Sequence, residues 1–487
     1  MYFHADTKKL YGAFFMPDIE FLAERISHWN QIHKKRKEKN RFSAYYHAHL
    51  AKTYKHLIGD NARVLEIGCG RGDLLASLKP KRGVGIDFSK EAVERARANH
   101  PDLTFIHCEA TLFEPDETFD YIILSDIIND LWDVQLLLSK ICAWCAPETR
   151  VIINSFSRVW QLPISLGKAL GAVTPTLVQN WFARDDLLNL MRLEGFEIIT
   201  NREEILWPVE TPFLSVFFNK YLSKIFPFNL FGMTFFVTAR VPKTRLDEKS
   251  SVSVIIAARN EEGNIKKIFD SLPALGGETE FIFVEGNSTD GTYNAIQREI
   301  EERKSPDVRL IKQDGKGKGD AVRKGFSHAK GDVLMILDAD LTVSPEYLPR
   351  FFDAIITAKA EYVNGVRLVY PMDKYAMRFM NLLGNKFFSL AFSWLLNRPI
   401  KDTLCGTKVI SRYHYERIAE NRHFFGDFDP FGDFDLIFGA AKLNLKFIDL
   451  PIRYKERVYG ETNISRWSHG WLLLKMVFFA MKKIKFH

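Results

Sequence analysis

Two aspartates one residue apart, Asp338 and Asp340, are the most pointed chemical feature of the chain. They close the stretch GDVLMILDADLT, residues 331–342, in which the apolar run Val333–Leu337 reads as a buried strand. Alternate residues of an extended chain point to one side, so both carboxylates can converge on one ion. Oxygen ligands suit Mg²⁺ or Mn²⁺, and such an ion can grip a diphosphate. A second centre lies far upstream. The strand-like Arg63–Ile67 runs into Gly68-Cys69-Gly70-Arg71-Gly72, and a helix opens at Asp73. Glycines there let backbone approach a ligand, and the helix start offers free N–H groups. Asp87 ends the next short strand, about 20 residues past the loop, where an acid is placed to hold ribose hydroxyls.

The elements that position these residues need more than one core. A chain of 487 residues implies two or three domains. Hydrophobic residues at 46% and charged residues at 26% mark it as globular and exclude a disordered chain. A net charge of +7 permits contact with anionic headgroups or phosphates without implying nucleic acid. The 40 phenylalanines cluster in residues 212–238 and 387–479, which could mark surfaces lying against lipid. Five scattered cysteines make no disulfide framework and suit a reducing compartment. The Cys142/Cys145 pair lies in an apolar helical stretch with no second pair, which favours a structural role. Met1–Leu10 carries charges and no apolar core, so no signal peptide is expected. No apolar run reaches the roughly 18 residues of a spanning helix. The charge run 33–41, HKKRKEKNR, reads as a solvated helix face.

The glycine loop has the form E-x-G-x-G-x-G, with Glu66 in the strand end, and not the G-x-G-x-x-G of dinucleotide binders. On these residues, 64–78 (VLEIGCGRGDLLASL) resembles motif I of class I S-adenosylmethionine-dependent methyltransferases. The likeness continues through 85–89, 108–110, 119–123, 150–155 and 194–197, and covers about residues 45–242. It implies a Rossmann-like sheet and S-adenosyl-L-methionine as cofactor. Glu66, Gly68 and Gly70 would line its methionine side, Asp87 the ribose and Glu109 the adenine edge. An aspartate is common in the family where this chain has Glu109. Asp126, Asn129, Asp130 and Asn154 fall at the face where a methyl acceptor would sit, or serve as loop caps. The segments 160–182 and 212–230 could shape an acceptor pocket or a membrane-facing lid.

After the polar stretch 242–251 a new α/β pattern begins. A strand at Ser253–Ala257 leads to Arg259 and Glu261. A second, Glu280–Val284, ends in Glu285. A third, Val308–Lys312, precedes Asp314-Gly315-Lys316-Gly317-Lys318-Gly319, a loop suited to an anionic ligand at a helix start. The fourth delivers Asp338 and Asp340. Together these units resemble family 2 glycosyltransferases of the GT-A fold, with their strongest likeness to dolichol- and polyprenyl-phosphate sugar transferases, over about residues 252–467. Further landmarks are 402–408 (DTLCGTK), 433–435 (DFD) and 457–463 (RVYGETN). The resemblance implies a nucleotide-sugar donor bordered by Ala257, Arg259, Glu261, Glu285 and Asp338, with Lys318 in the anion loop. Asp338 and Asp340 would hold Mg²⁺ or Mn²⁺, Asp433 or Asp435 would lie near the acceptor, and Arg457 would bind phosphate. The chain departs from the family at Ala257, where proline is usual, at Glu285-Gly286, where an aspartate pair is usual, and at Thr462-Asn463.

The expectation is thus two α/β domains, a Rossmann-like methyltransferase sheet over 1–243 and a GT-A sheet over 252–487, joined by a linker at 244–251. The function expected is a bifunctional transferase of surface-glycan or glycolipid synthesis, with a lipid-phosphate or glycan acceptor. A lipid phosphate needs little base help, whereas a hydroxyl needs Asp433 or Asp435 to take its proton. The alternative is an active glycosyltransferase with a non-catalytic first half. Residues 375–396 and 468–487, apolar with basic ends, suggest interfacial helices. The expected place is the cytoplasm, peripheral at the inner face of a membrane, with no nucleic-acid partner.

Overall fold

The computed structural model describes residues 19–35, 41–171, 173–370, 379–422, 433–457, 459–460 and 466–486. The chain forms two compact units, Met1–Val241 and Pro242–His487. The stretch expected to link them is docked on the second. Ser251 donates from N and Oγ to Asp332 at 3.0 and 2.8 Å, and Leu246 packs against that unit's core.

The first unit opens with helices α1 (Ile19–Lys35) and α2 (Arg41–Leu57). Then follow β1 (Arg63–Ile67), α3 (Asp73–Leu78), β2 (Arg82–Asp87), α4 (Lys90–Asn99), β3 (Thr104–His107), β4 (Tyr121–Ser125), α5 (Val134–Trp144), β5 (Arg150–Phe156), α6 (Gln161–Ala169), α7 (Arg184–Leu193), β6 (Glu197–Glu204) and β7 (Thr234–Arg240). The sheet order is β3-β2-β1-β4-β5-β7-β6, parallel except for β7. The central strands β1, β4 and β5 are largely apolar because both faces are covered, whereas the edge strand β6 is mostly polar. In β1, Leu65 and Ile67 enter one core while Val64 enters the other. Side chains cap the helices where the sequence allows. Ser89 accepts from Ala92 N, and Asp133 from Leu136 N. The strand order reverses between β1 and β4, so the crevice at their carboxyl ends is the place for a ligand. Cys142 lies on α5 and Cys145 is its buried C-cap, as the structural reading of that pair expects.

The second unit runs β8 (Val252–Ala258), α8 (Glu262–Ser271), β9 (Thr279–Glu285), α9 (Thr292–Arg303), β10 (Val308–Lys312), α10 (Lys318–His328), β11 (Val333–Asp338), α11 (Leu348–Ile356) and β12 (Tyr362–Val366). It continues with α12 (Phe379–Leu396), β13 (Lys408–Ser411), α13 (Arg412–Glu420), α14 (Asp433–Lys442), β14 (Phe447–Pro451) and α15 (Arg466–Ala480). Its sheet order is β10-β9-β8-β11-β13-β12-β14, with β13 antiparallel to both neighbours. The reversal falls between β8 and β11, and the register sets Asp338 beside Ala257. Ala258 in turn lies beside Glu285. This sheet too is covered on both faces.

Helices α12 and α15 fall in the two stretches read as interfacial. Both bury an apolar face in the core, through Phe388, Phe392 and Leu395 on α12 and Leu473, Met476 and Ala480 on α15. Both also expose apolar residues: Leu383, Phe387 and Leu390 on the first, Trp471 and Phe478 on the second. Residues 375–378 of the expected first helix lie outside the described residues. Lys485, counted among the basic end, is buried, and its ammonium donates to Trp394 O and Asn397 Oδ1, both at 2.6 Å. Among the described residues no helix is long and apolar enough to cross a membrane.

Candidate functional sites

In the first unit, Gly68, Gly70 and Gly72 have φ of +73, +51 and +73°, a region that favours glycine. The first part of the loop is drawn over β2, because Gly68 N and Cys69 N both donate to Ile86 O at 2.8 and 3.0 Å. A β-carbon on Gly68 would come within 2.6 Å of Ile127 Cδ1, and one on Gly72 would run into Phe105. Gly70 is different. A β-carbon there would meet only His33 of α1, at 3.9 Å, so its α-carbon borders open space. Glu66 is buried and accepts from Leu75 N at 3.1 Å. Asp87 accepts from Gly70 N on one oxygen and Ser89 N on the other, both at 2.8 Å. Glu109 follows β3 and accepts from Thr111 N at 2.7 Å, capping a short turn. Cys108 N donates to Asp87 O at 3.1 Å, which brings Glu109 next to Asp87 in the same crevice.

The face across the crevice carries the four acceptor-side candidates. Asp126, just past β4, has φ +57°. Its Oδ1 accepts from Tyr46 Oη at 2.9 Å and Asn154 Nδ2 at 2.6 Å. Asn154 Oδ1 accepts from Tyr54 Oη at 2.7 Å. Asn129 is a strut, accepting from Ser155 Oγ at 3.0 Å and donating to Asn180 O at 2.7 Å. Asp130 accepts from Gln179 Nε2 at 3.2 Å. Burial pushes Glu66, Asp87, Asp126 and Asp130 above the usual carboxylate range, Asp126 to about 7. The donors that answer Glu66 and Asp126 are backbone, hydroxyl and amide groups, and among the described residues no cation pairs with either. The first unit also exposes an apolar surface. Leu162, Leu166 and Leu170 form a stripe along α6 and beyond its end, and Phe213, Phe217, Phe226 and Phe231 stand out of the phenylalanine-rich segment, Phe213 at 90% exposure. Trp160 Nε1 donates to Phe231 O at 2.8 Å and ties the two together.

The second unit answers its acids with cations. Asp338 pairs with Lys318 at 2.6 Å, and Asp340 with Arg457 at 2.7 Å. Arg457 also holds Glu261 Oε1 at 3.1 Å, while Glu261 Oε2 accepts from Asn264 Nδ2 at 2.6 Å. β11 ends at Asp338, and Ala339 and Asp340 lie in the turn that follows, with Ala339 buried in the core. Lys318 is the first residue of α10, behind Gly317 with φ +85°. Glu285 accepts from Ser288 N at 2.5 Å, Ala257 is half-buried, and Arg259 is exposed. Tyr459 packs on Gly263 and points its hydroxyl at Asp290, 3.4 Å away, so the chain after Arg457 returns over the β8 loop. Burial pushes Glu261 up to about 7. Burial also pushes Asp338 up, but Lys318, and less strongly Lys408 and Arg367, bring it below the usual carboxylate range.

Four contributors carry no role in the sequence reading. Gly406 lies so close to the Asp338–Lys318 pair that a β-carbon would overlap both groups. Lys408 is buried and donates to Cys405 O. Arg367 grips Asp402 with two bonds of 2.7 and 2.8 Å. Burial pushes Asp402 up, yet Arg367 brings it down to about 2. The run 402–408 was a sequence landmark, but linear spacing does not show that it crosses over Asp338. Asp435 is placed apart from this cluster. Arg422, just past α13, holds it at 2.8 Å near the start of α14. The side chain of Asp433 and residues 461–463 lie outside the described residues.

The donors suit a metal that arrives with its ligand. Asp338 and Asp340 offer hard oxygens two residues apart, but among the described residues no three His, Cys, Asp or Glu side chains gather as a cage. A divalent ion here needs diphosphate oxygens to complete its shell.

Residues 32–201 match the family model "Methyltransferase domain", and residues 253–418 match "Glycosyl transferase family 2". Undecaprenyl-phosphate 4-deoxy-4-formamido-L-arabinose transferase of Enterobacter sp. (strain 638) is 27% identical over 46% of this chain and 65% of its own length. Dolichol-phosphate mannosyltransferase of Saccharomyces cerevisiae is 36% identical over 23% of this chain and 46% of its own. The chain thus spans less than two thirds of these relatives. Among solved structures, the N-methyltransferase NodS of Bradyrhizobium japonicum WM9, in complex with S-adenosyl-L-homocysteine, aligns over 45% of this chain and all of its own, at 14% identity and a TM-score of 0.32.

Proposed function

Since this chain carries a methyltransferase domain followed by a family 2 glycosyltransferase domain, we propose that it catalyses two transfers in one surface-glycan or glycolipid pathway. The first domain, about residues 1–243, uses S-adenosyl-L-methionine. The second, about residues 252–487, moves a sugar from a nucleotide-sugar to a polyprenyl-phosphate or glycan acceptor. The observation that carries the second activity is the linked set Lys318–Asp338, Arg457–Asp340 and Arg457–Glu261 at the reversal of the sheet. It presents two cations and two metal-ready carboxylates to one ligand, the requirement of a diphosphate leaving group. A bound Mg²⁺ or Mn²⁺ supplies neutralisation of the charge that builds on that group. Lys318 and Arg457 give up part of their carboxylate pairing to phosphate oxygens, and Arg259 borders the nucleotide. Glu66, Gly68, Gly70, Asp87 and Glu109 hold the cofactor of the first domain.

The exposed phenylalanine and leucine surface of the first domain, and the outer faces of α12 and α15 with Lys482 and Lys483 beyond, suit peripheral contact with an anionic membrane surface at its cytoplasmic side. The test is calorimetry of the full chain with UDP, GDP and S-adenosyl-L-homocysteine, with Mn²⁺ and then with EDTA. The expected result is nucleotide binding that EDTA weakens by about tenfold or more, and homocysteine-ligand binding that EDTA leaves alone. Nucleotide affinity indifferent to EDTA would remove the metal from the second site, and absent homocysteine-ligand binding would remove the first activity.

A further inference from the structure

We propose that Asp126 is the proton acceptor for methyl transfer in the first domain, to an acceptor that sheds a proton as it is methylated, taken below as a hydroxyl. This rests on the reading of that domain as an S-adenosylmethionine-dependent methyltransferase and goes beyond it by naming a residue and an acceptor class.

Placement comes first. The register sets Ile67 beside Leu124, so Gly68 and Asp126 leave the same end of adjacent strands. Ile127, next in sequence, packs its side chain on Gly68. Asp126 therefore stands directly across the crevice from the glycine loop. Its backbone is held in the left-handed region, an uncommon state for a residue other than glycine and one concentrated at functional sites.

Orientation comes next. Tyr46 and Asn154 both donate to Oδ1, and none of the bonds described above ends on Oδ2. Asn154 is fixed in turn by Tyr54 and, at 3.5 Å, by Thr234. With Oδ1 clamped by two donors, Oδ2 is the oxygen assigned to the ligand. The groups facing it are Tyr46 and Tyr54 from α2, Asn154 from β5 and Thr234 from β7, with Glu66 of β1 acting on Tyr54. None is a cation. A carboxylate that titrates at about 7 suits proton transfer at neutral pH.

The step balances. The acceptor oxygen forms a bond to the methyl carbon as the methyl–sulfur bond breaks and its electron pair stays on sulfur. The hydroxyl proton passes to Oδ2. One positive and one negative charge disappear together, leaving a neutral ether, a neutral thioether and a protonated Asp126. Asp126 must hence be ionised when the cationic cofactor is in place, and this predicts linkage between its protonation and the ligand's charge.

Calorimetry of the full chain between pH 6 and 8 tests this without any acceptor. The probes are S-adenosyl-L-methionine, a cation at sulfur, and S-adenosyl-L-homocysteine, neutral there. In the wild type the ratio of the two affinities is expected to shift toward the methionine ligand by fivefold or more as pH rises, with proton release on binding. Asp126→Asn should flatten the ratio and keep homocysteine-ligand affinity within about twofold. Tyr46→Phe removes a bond that favours the ionised carboxyl, so it should move the midpoint to higher pH and thereby identify Asp126 as the titrating group. A wild-type ratio that is flat while the homocysteine ligand binds would overturn the assignment of Asp126 alone. So would an unchanged midpoint in Tyr46→Phe. No binding of either ligand by the wild type would instead overturn the methyltransferase reading itself.

Discussion

At the carboxyl end of the first sheet, Glu66 and Asp126 meet backbone, hydroxyl and amide donors; at the second, Asp338, Asp340 and Glu261 meet Lys318 and Arg457. Both crevices lie where a strand order reverses, and both collect acids. The difference is which charge has been left for the ligand to bring. Acids raised by burial with little cationic relief favour a ligand carrying positive charge. Acids already matched by cations favour a polyanion that takes over the cations while a metal takes over the acids. Similar sheets thus select ligands of opposite charge through a few side chains at their ends.

The comparison is broken most severely at Asp338. Asp338→Asn or Asp340→Asn is expected to lower metal-dependent turnover of a nucleotide-sugar by about a hundredfold or more, with S-adenosyl-L-homocysteine affinity unchanged. A parallel loss at both sites would refute their independence. Next in size is Asp402→Asn, which leaves Arg367 buried without its partner. It should destabilise the second unit by roughly 3–5 kcal/mol, read by denaturant unfolding, and an effect below about 1 kcal/mol would mean the pair is solvated. Gly72→Ala tests the first crevice. The positive φ and the overlap with Phe105 predict a loss of about 1–3 kcal/mol together with weaker cofactor binding by calorimetry.

A subtler probe uses Glu261, raised to about 7 by burial. A carboxyl that is harder to ionise in the folded chain favours folding while protonated. Its contribution is full below the unfolded value near 4.5 and is lost as pH rises through about 7. Glu261→Gln should therefore flatten the stability profile of the second unit between those limits, and an unchanged slope would mean that Arg457 already ionises the group. The smallest effect on folding is expected from Leu162→Ser with Leu166→Ser. Both residues are exposed, so unfolding should shift by no more than about 0.5 kcal/mol each. Sedimentation with anionic vesicles should nevertheless fall, and undiminished binding would assign the contact elsewhere.

How much of this was legible beforehand depended on the range of the interaction. The placing of Asp338 at a strand end with Asp340 two residues on is local, and so is the strand–glycine–helix sequence around Gly68. Both read directly from neighbouring residues. Gly72 against Phe105, Gly406 against Asp338 and Lys485 against Trp394 join residues 33, 68 and 91 positions apart, and no local pattern encodes them. Asp435 is a similar case. An acid near a helix start is read locally, but its pairing with Arg422, 13 positions earlier, is not. The Lys318–Asp338 pair falls between, because the lysine loop and the acids were both legible but their contact was not.

One consequence of the first sheet concerns the order of synthesis. β7 lies between β5 and β6, and among the described residues β6 pairs with no other strand. Until residue 240 has left the ribosome, β5 keeps an open edge and β6 has nothing to pair with. Residues 197–233 therefore wait in the nascent chain with their apolar segments uncovered, an aggregation hazard at an exposed edge. A fragment meant to represent this unit must run through Val241, and one ending at Gly232 would lose two strands although only one lies beyond the cut.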